Sequence, residues 1–159
     1  MNRRGLTNAL LYQSRLMLEL AGQGKVPARA EACEAACAVL MYRAWSAALC
    51  EAAESYGVML SADAAMPSLL EDWQTVRPDA WELKDAQAGL KQSGHWMQQL
   101  HRDVTFWASL PSSERVKKAD PNRIALVPDD NQEPTNRYSI LLTELQQWID
   151  QMRAQSDHS

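Results

Sequence analysis

The chain has 159 residues and a formal net charge of −4, with 46% hydrophobic and 23% charged residues. That length suits one domain with a core of its own, needing neither metal nor disulfide staples. The acidic balance argues against a general nucleic-acid binder, and no stretch approaches the roughly 20 apolar residues that a membrane span needs.

The charge is uneven. Residues 1–30 carry Arg3, Arg4, Arg15, Lys25 and Arg29 against Glu19 alone, a local balance of +4 that leaves −8 for the remainder. This basic stretch reads as a solvated helix face more readily than as an arm for an acidic partner or RNA. Its start is not a signal peptide, because Gln13, Arg15 and Glu19 interrupt the apolar residues. Six Trp stand against one Phe. Trp rewards burial only where its N–H finds a partner, so several are expected at the edge of the core.

Leu6 to Ala21 has the period of a helix, capped near Thr7 or Asn8. Leu10, Leu11, Ser14, Met17, Leu18 and Ala21 make one face. After a break at Gly22-Gln-Gly24-Lys25, the stretch that Pro27 opens holds no further Pro and no Gly until Gly57. It is dense in strong helix formers. Pro27 suits a first helical turn, and Gly57 can take the left-handed conformation that ends a helix. Cys33, Cys37, Leu40 and Ala44 lie on one side, with Met41, Trp45, Ala48, Leu49 and Ala52 round from them. A helix apolar over so much of its circumference belongs at the centre of a bundle. The short link before it makes the first two helices antiparallel neighbours.

Pro67 opens a short helix with Leu69, Leu70 and Trp73 inward and Glu71 and Asp72 outward. Pro78 starts another piece through Trp81, Leu83 and Leu90. Beyond Ser93-Gly94, where Ser93 can cap, Trp96, Met97, Leu100, Val104, Trp107 and Ala108 keep the helical period. This third long helix should run antiparallel to the central one. Residues 111–135 carry Pro111, Pro121, Pro128 and Pro134 among polar residues and read as a linker. A connection of this length is usually functional or disordered. Ser112–Ala119 and Asp129–Glu133 should be its most mobile parts, and Ile124–Val127 could dock on the bundle. The last helix shows an unbroken stripe of Tyr138, Leu141, Leu142, Leu145, Trp148, Ile149 and Met152. Residues 155–159 should fray.

Candidate chemistry is sparse. His95 and His101 are six residues apart, about 240° round a helix, so they do not share a face. His101, Arg102 and Asp103 read as a solvated charged face. A di-iron bundle needs Glu three residues before each ligand His, but Gln92 and Gln98 stand there. Cys33-x-x-x-Cys37 places two thiols one turn apart without the further ligands of a zinc site or the third Cys of a radical cluster. Cys33, Cys37 and Cys50 therefore read as core residues, and three unpaired cysteines fit a reducing cytoplasm. Glu31, Glu34, Glu51 and Glu54 read as the wet edge of the central helix. The six glycines scatter at breaks, with no phosphate loop and no nucleophile elbow. No residue is assigned a catalytic, cofactor-binding or metal-binding role, and no cofactor is expected.

Two resemblances bear on function. Arg153-x-x-x-x-His158 resembles the motif of the HEPN nucleases, helical bundles that cleave RNA as dimers. However, Ala154 replaces the polar residue that often follows the arginine, and His158 is next to last. More broadly, the chain resembles an uncharacterised bacterial family of small all-helical proteins catalogued as a domain of unknown function. The shared features are Thr7-Asn8 with Leu11-Tyr12, the Ala-rich helix through Tyr42 and Ala47-Ala48-Leu49, the opening Ser93-x-x-Trp96, a Pro- and Lys-bearing linker and a final Trp-containing helix. The resemblance implies a helical bundle in a bacterial cytoplasm and carries no catalytic residue with it.

The expectation is an all-α, single-domain bundle over residues 1–159. It has four main antiparallel helices at 6–21, 27–56, 94–110 and 136–154, and short ones at 67–76 and 79–91. The leading functional expectation is a non-catalytic cytoplasmic interaction or adaptor protein, homodimeric or with a protein partner, binding neither nucleic acid nor membrane. Behind it stand an RNA-directed nuclease or antitoxin of the HEPN type and a binder of a small apolar ligand. That ligand would sit in a closed, Trp-lined core pocket where Ala36, Ala44 and Ala47 leave room.

Overall fold

The structure is a computed structural model, described here for residues 2–23, 25–109 and 134–157. Six helices and no strand occur among these residues: α1 (Arg3–Gln23), α2 (Pro27–Ser55), α3 (Met66–Val76), α4 (Trp81–Lys91), α5 (Trp96–Ala108) and α6 (Pro134–Ser156). The all-α expectation holds. Most of the expected linker, and His158, lie outside the described residues.

The helix ends follow local chemistry. Asn2 rather than Thr7 or Asn8 caps α1: its Oδ1 accepts from the Gly5 N–H at 2.7 Å. Thr7 lies a turn inside, its hydroxyl donating to the Arg3 carbonyl. Pro27 occupies the first turn of α2. At its other end Gly57 adopts φ +76°, while Gly57 N–H donates to the Glu54 carbonyl and Val58 N–H to that of Ala53. This is the paired closure that a left-handed glycine permits. The cap of α5 is His95, whose Nδ1 accepts from Met97 N–H. Ser93 does not cap it, because Gly94 turns the chain with φ +81° before the helix starts.

Paired contacts fix the helix directions. Cys37 meets Ser14 while Arg3 meets Glu54, so α1 and α2 run antiparallel. Tyr42 stacks on His101 and Trp45 meets Trp96, so α2 and α5 do the same. Arg15 to Gln146 and Asn8 to Arg153 set α1 against α6 in the same sense. It follows that α2 and α6 run parallel, and they touch. α2 also touches α1, α4 and α5, which fits the central place its apolar circumference demands.

The core is contiguous, and α2 supplies Cys37, Met41, Ala44, Trp45, Ala48 and Leu49 to it, all fully buried. The expected stripes of α3 and α6 are buried as read. The expected stripe of α5 stops early. Trp96, Met97 and Leu100 are buried and Val104 partly so, but Trp107 is 41% exposed and Ala108 is exposed. Trp81 is half-buried and Trp107 exposed, at the edge as expected, but two tryptophans depart from the expectation. Trp45 and Trp73 are wholly buried and their indole N–H groups find no hydrogen-bond partner among the described residues, whereas Trp148 donates to Asp85 at 2.8 Å. Ring contacts run from Trp81 through Trp148, Trp96, Trp45 and Tyr42 to His101, with centroids 5.4–6.4 Å apart. Offset and edge-to-face pairs of this kind add to their area burial.

Gly89 is not at a break as expected. It is buried inside α4, and a Cβ there would collide with the Met97 sulfur and approach His95 Nδ1 at 2.8 Å. Its missing side chain lets α4 lie against the start of α5.

Candidate functional site

The parallel course of α2 and α6 brings their C-terminal turns to the same end of the bundle, beside the first turn of α4. A cleft of about 330 Å³ opens there, lined by Ser55, Tyr56, Trp81, Glu82, Gln155 and Ser156. Among these, Glu82 alone carries a formal charge. It is 1% exposed, and the Tyr56 hydroxyl donates to its Oε2 at 3.1 Å. None of the ion pairs among the described residues includes it. Burial pushes the Glu82 carboxyl above the ordinary carboxylate range, only partly offset by its own backbone N–H and by Tyr56. Burial likewise raises the Tyr56 phenol, with the Glu82 charge adding to the effect. The Arg77 guanidinium lies over the Tyr56 ring, 5.4 Å from the centroid and 3.2 Å from Asp79.

A buried carboxyl and a phenol with shifted proton affinities, at the wall of a cleft, are the usual marks of a binding or acid–base site. Sequence reasoning missed both residues. The available signal was the spacing 82, 86, 89: Glu82 shares its helix stripe with Ala86 and Gly89, all three buried.

A second cleft of about 340 Å³ adjoins the first and shares Ser55 and Ser156 with it. Its charges are matched internally. Arg153 grips Glu51 with two bonds of 2.8 and 3.0 Å and reaches Asn8 Oδ1 at 2.9 Å. The expectation of Glu51 on a wet edge is therefore corrected: its side chain is 15% exposed because Arg153 of α6 covers it. Glu31 and Glu54 are exposed, and Glu34 is half-buried. The arginine of the HEPN-like motif is engaged in holding α6 to α2 and α1.

The other sequence candidates are dispersed. His95 caps α5. His101 Nδ1 lies 3.2 Å from the Tyr42 hydroxyl, and burial lowers its proton affinity. Asp103 is not on a solvated face: it pairs with Arg137 at 2.7 Å and accepts from the Tyr138 hydroxyl at 3.2 Å, while Arg102 is exposed. Cys37 is buried, its thiol donating to the Ser14 carbonyl and pushed up to about 12, chiefly by burial. Burial raises the Cys50 thiol as well. Cys33 is half-buried, and none of the three is paired. Among the described residues no group of three or more His, Cys, Asp or Glu could hold a metal ion. Ala44 and Ala47 are buried and Ala36 half-buried, but neither cleft is lined by them.

The fold and its end cleft define a small all-helical protein without a metal cluster among its described residues. The chain belongs to a family of unknown function (DUF6586), whose family model matches residues 1–159. No curated protein and no solved structure matches it. No helix among the described residues is long and apolar enough to cross a membrane.

Proposed function

We propose that the protein is a non-catalytic, single-domain binding module of the cytoplasm that takes a small ligand in the cleft between the ends of α2, α4 and α6. The observation that carries this reading is Glu82: a carboxyl buried at a cleft wall with Tyr56 as its side-chain partner. A buried carboxyl that has a hydrogen bond from Tyr56 but no ion-pair partner among the described residues costs the fold stability, so its presence makes sense where a further partner comes to meet it. The three unpaired cysteines, two of them buried, support a reducing compartment. A thermal-shift screen of a small-molecule library on the wild type and on Trp81→Ala tests the reading. Ligands that raise the melting temperature of the wild type and not of the variant support it. Ligands that stabilise both alike would place binding elsewhere.

A second reading, a protein–protein adaptor or homodimer, is favoured by Phe106 and Trp107, which lie 50% and 41% exposed in edge-to-face contact at the end of α5. Aromatic residues of this kind are enriched at interfaces. Affinity purification with and without nuclease, comparing wild type with Trp107→Ala, tests it. A partner retained after nuclease and lost in the variant supports the adaptor reading.

A further inference from the structure

The chemistry of the cleft narrows what could enter it. The carboxyl of Glu82 is the one formal charge among the residues lining it. Ser55 and Ser156 are the last residues of α2 and α6, so two parallel helices present their negative dipole ends to the same space. An anion would meet both sources of negative potential and no lining cation. A neutral apolar ligand would leave the buried Glu82 carboxylate without a counter-charge. An inorganic divalent ion needs several oxygen ligands, and the lining residues hold one carboxylate. What fits is a cation with an apolar body. Trp81 and Tyr56 line the cleft and supply aromatic rings for it, and the Tyr56 ring already carries the Arg77 guanidinium 5.4 Å from its centroid.

We infer that the end cleft binds a small organic ammonium ion, with Glu82 as its counter-charge and Trp81 and Tyr56 as its aromatic walls. This rests on the cleft being the binding site. The ammonium group sits against Glu82, and its alkyl substituents lie along the Trp81 ring, half-buried where the cleft opens. Glu82 thereby gains the ion-pair partner that the described residues do not supply.

The test titrates choline and n-butylammonium, each beside its uncharged isostere (3,3-dimethyl-1-butanol and n-butanol), into wild type and Glu82→Gln. Backbone and indole N–H chemical shifts report both affinity and location. Glu82→Gln keeps the shape and can still accept the Tyr56 hydrogen bond, so the fold persists and is verified from the same spectra. The expected result is saturable shifts at Tyr56, Trp81 and Gln155 with at least one cation. Its affinity should exceed that of the isostere and fall about tenfold or more in Glu82→Gln. Isosteres that bind the cleft as well as the cations, in both proteins, would overturn the ammonium assignment and leave the cleft a ligand site. No cleft shift with any of the four, or cation binding unchanged by Glu82→Gln, would also overturn it.

Discussion

The Tyr56 hydroxyl donates to Glu82 Oε2 across 3.1 Å, joining the residue that caps α2 to the first turn of α4. Two elements 26 residues apart in sequence thus meet at the cleft through one hydrogen bond, and the acceptor is buried. The consequences for stability follow from its proton affinity.

Burial raises the folded-state pKa of Glu82 above its unfolded value. The folded protein therefore holds that proton more tightly than the unfolded chain does. Stability from this group is fully present below the unfolded pKa and is lost as pH rises through the folded one. Glu82→Gln should accordingly raise stability at pH 7 by about 1 kcal/mol, with the gain vanishing near pH ~4, where the unfolded carboxyl is itself largely protonated. Urea unfolding of both proteins across that range checks the sign.

Arg153 joins α6 to α2 through a two-pronged pair with Glu51, both side chains well covered at 12% and 15% exposure. Arg153→Ala should destabilise by about 2 kcal/mol, because it leaves Glu51 covered and unpaired. Glu51→Gln combined with Arg153→Ala should be less harmful than the sum of the two. A double-mutant cycle in urea measures the coupling.

Gly89→Ala would ordinarily stabilise a helix by about 1 kcal/mol. Here the added methyl meets Met97, which is fully buried, and the His95 ring that caps α5. The expected outcome is a net loss of about 1–2 kcal/mol, read from the denaturation midpoint. Loss of the His95 bond should also show as faster hydrogen exchange at the Met97 amide.

Cys37 has 0% exposure and a thiol pushed up to about 12, while Cys33 one turn earlier is half-buried. Iodoacetamide on the folded protein should label Cys33 at least about tenfold faster than Cys37. Denaturant should abolish the difference. Peptide mass mapping distinguishes the two sites.

The helices were legible where apolar residues recur without interruption. Tyr138 to Met152 reads as one stripe, and every member of it is buried. Caps were less legible, because they depend on which polar side chain the chain path brings back. Asn2 and His95 do this work, and nothing in their neighbours distinguishes them from Thr7 or Ser93. The cleft was hidden for a different reason. Glu51 and Glu82 look like surface carboxylates on their own helices. The parallel packing of α6 on α2 covers the first, and the packing of α4 against the end of α2 places the second beside Tyr56. Long-range pairing of this kind leaves no local pattern, apart from the shared spacing of Glu82, Ala86 and Gly89.

The most direct measurement of the central claim is a map of ligand-induced amide shifts over the whole chain, recorded with a fragment library of cationic, anionic and neutral members. The account predicts that binders shift Ser55, Tyr56, Trp81, Glu82, Gln155 and Ser156 together, and that these shifts weaken in Trp81→Ala. Shifts clustered around Phe106 and Trp107 with the cleft silent would contradict it, placing the binding surface at the end of α5 instead.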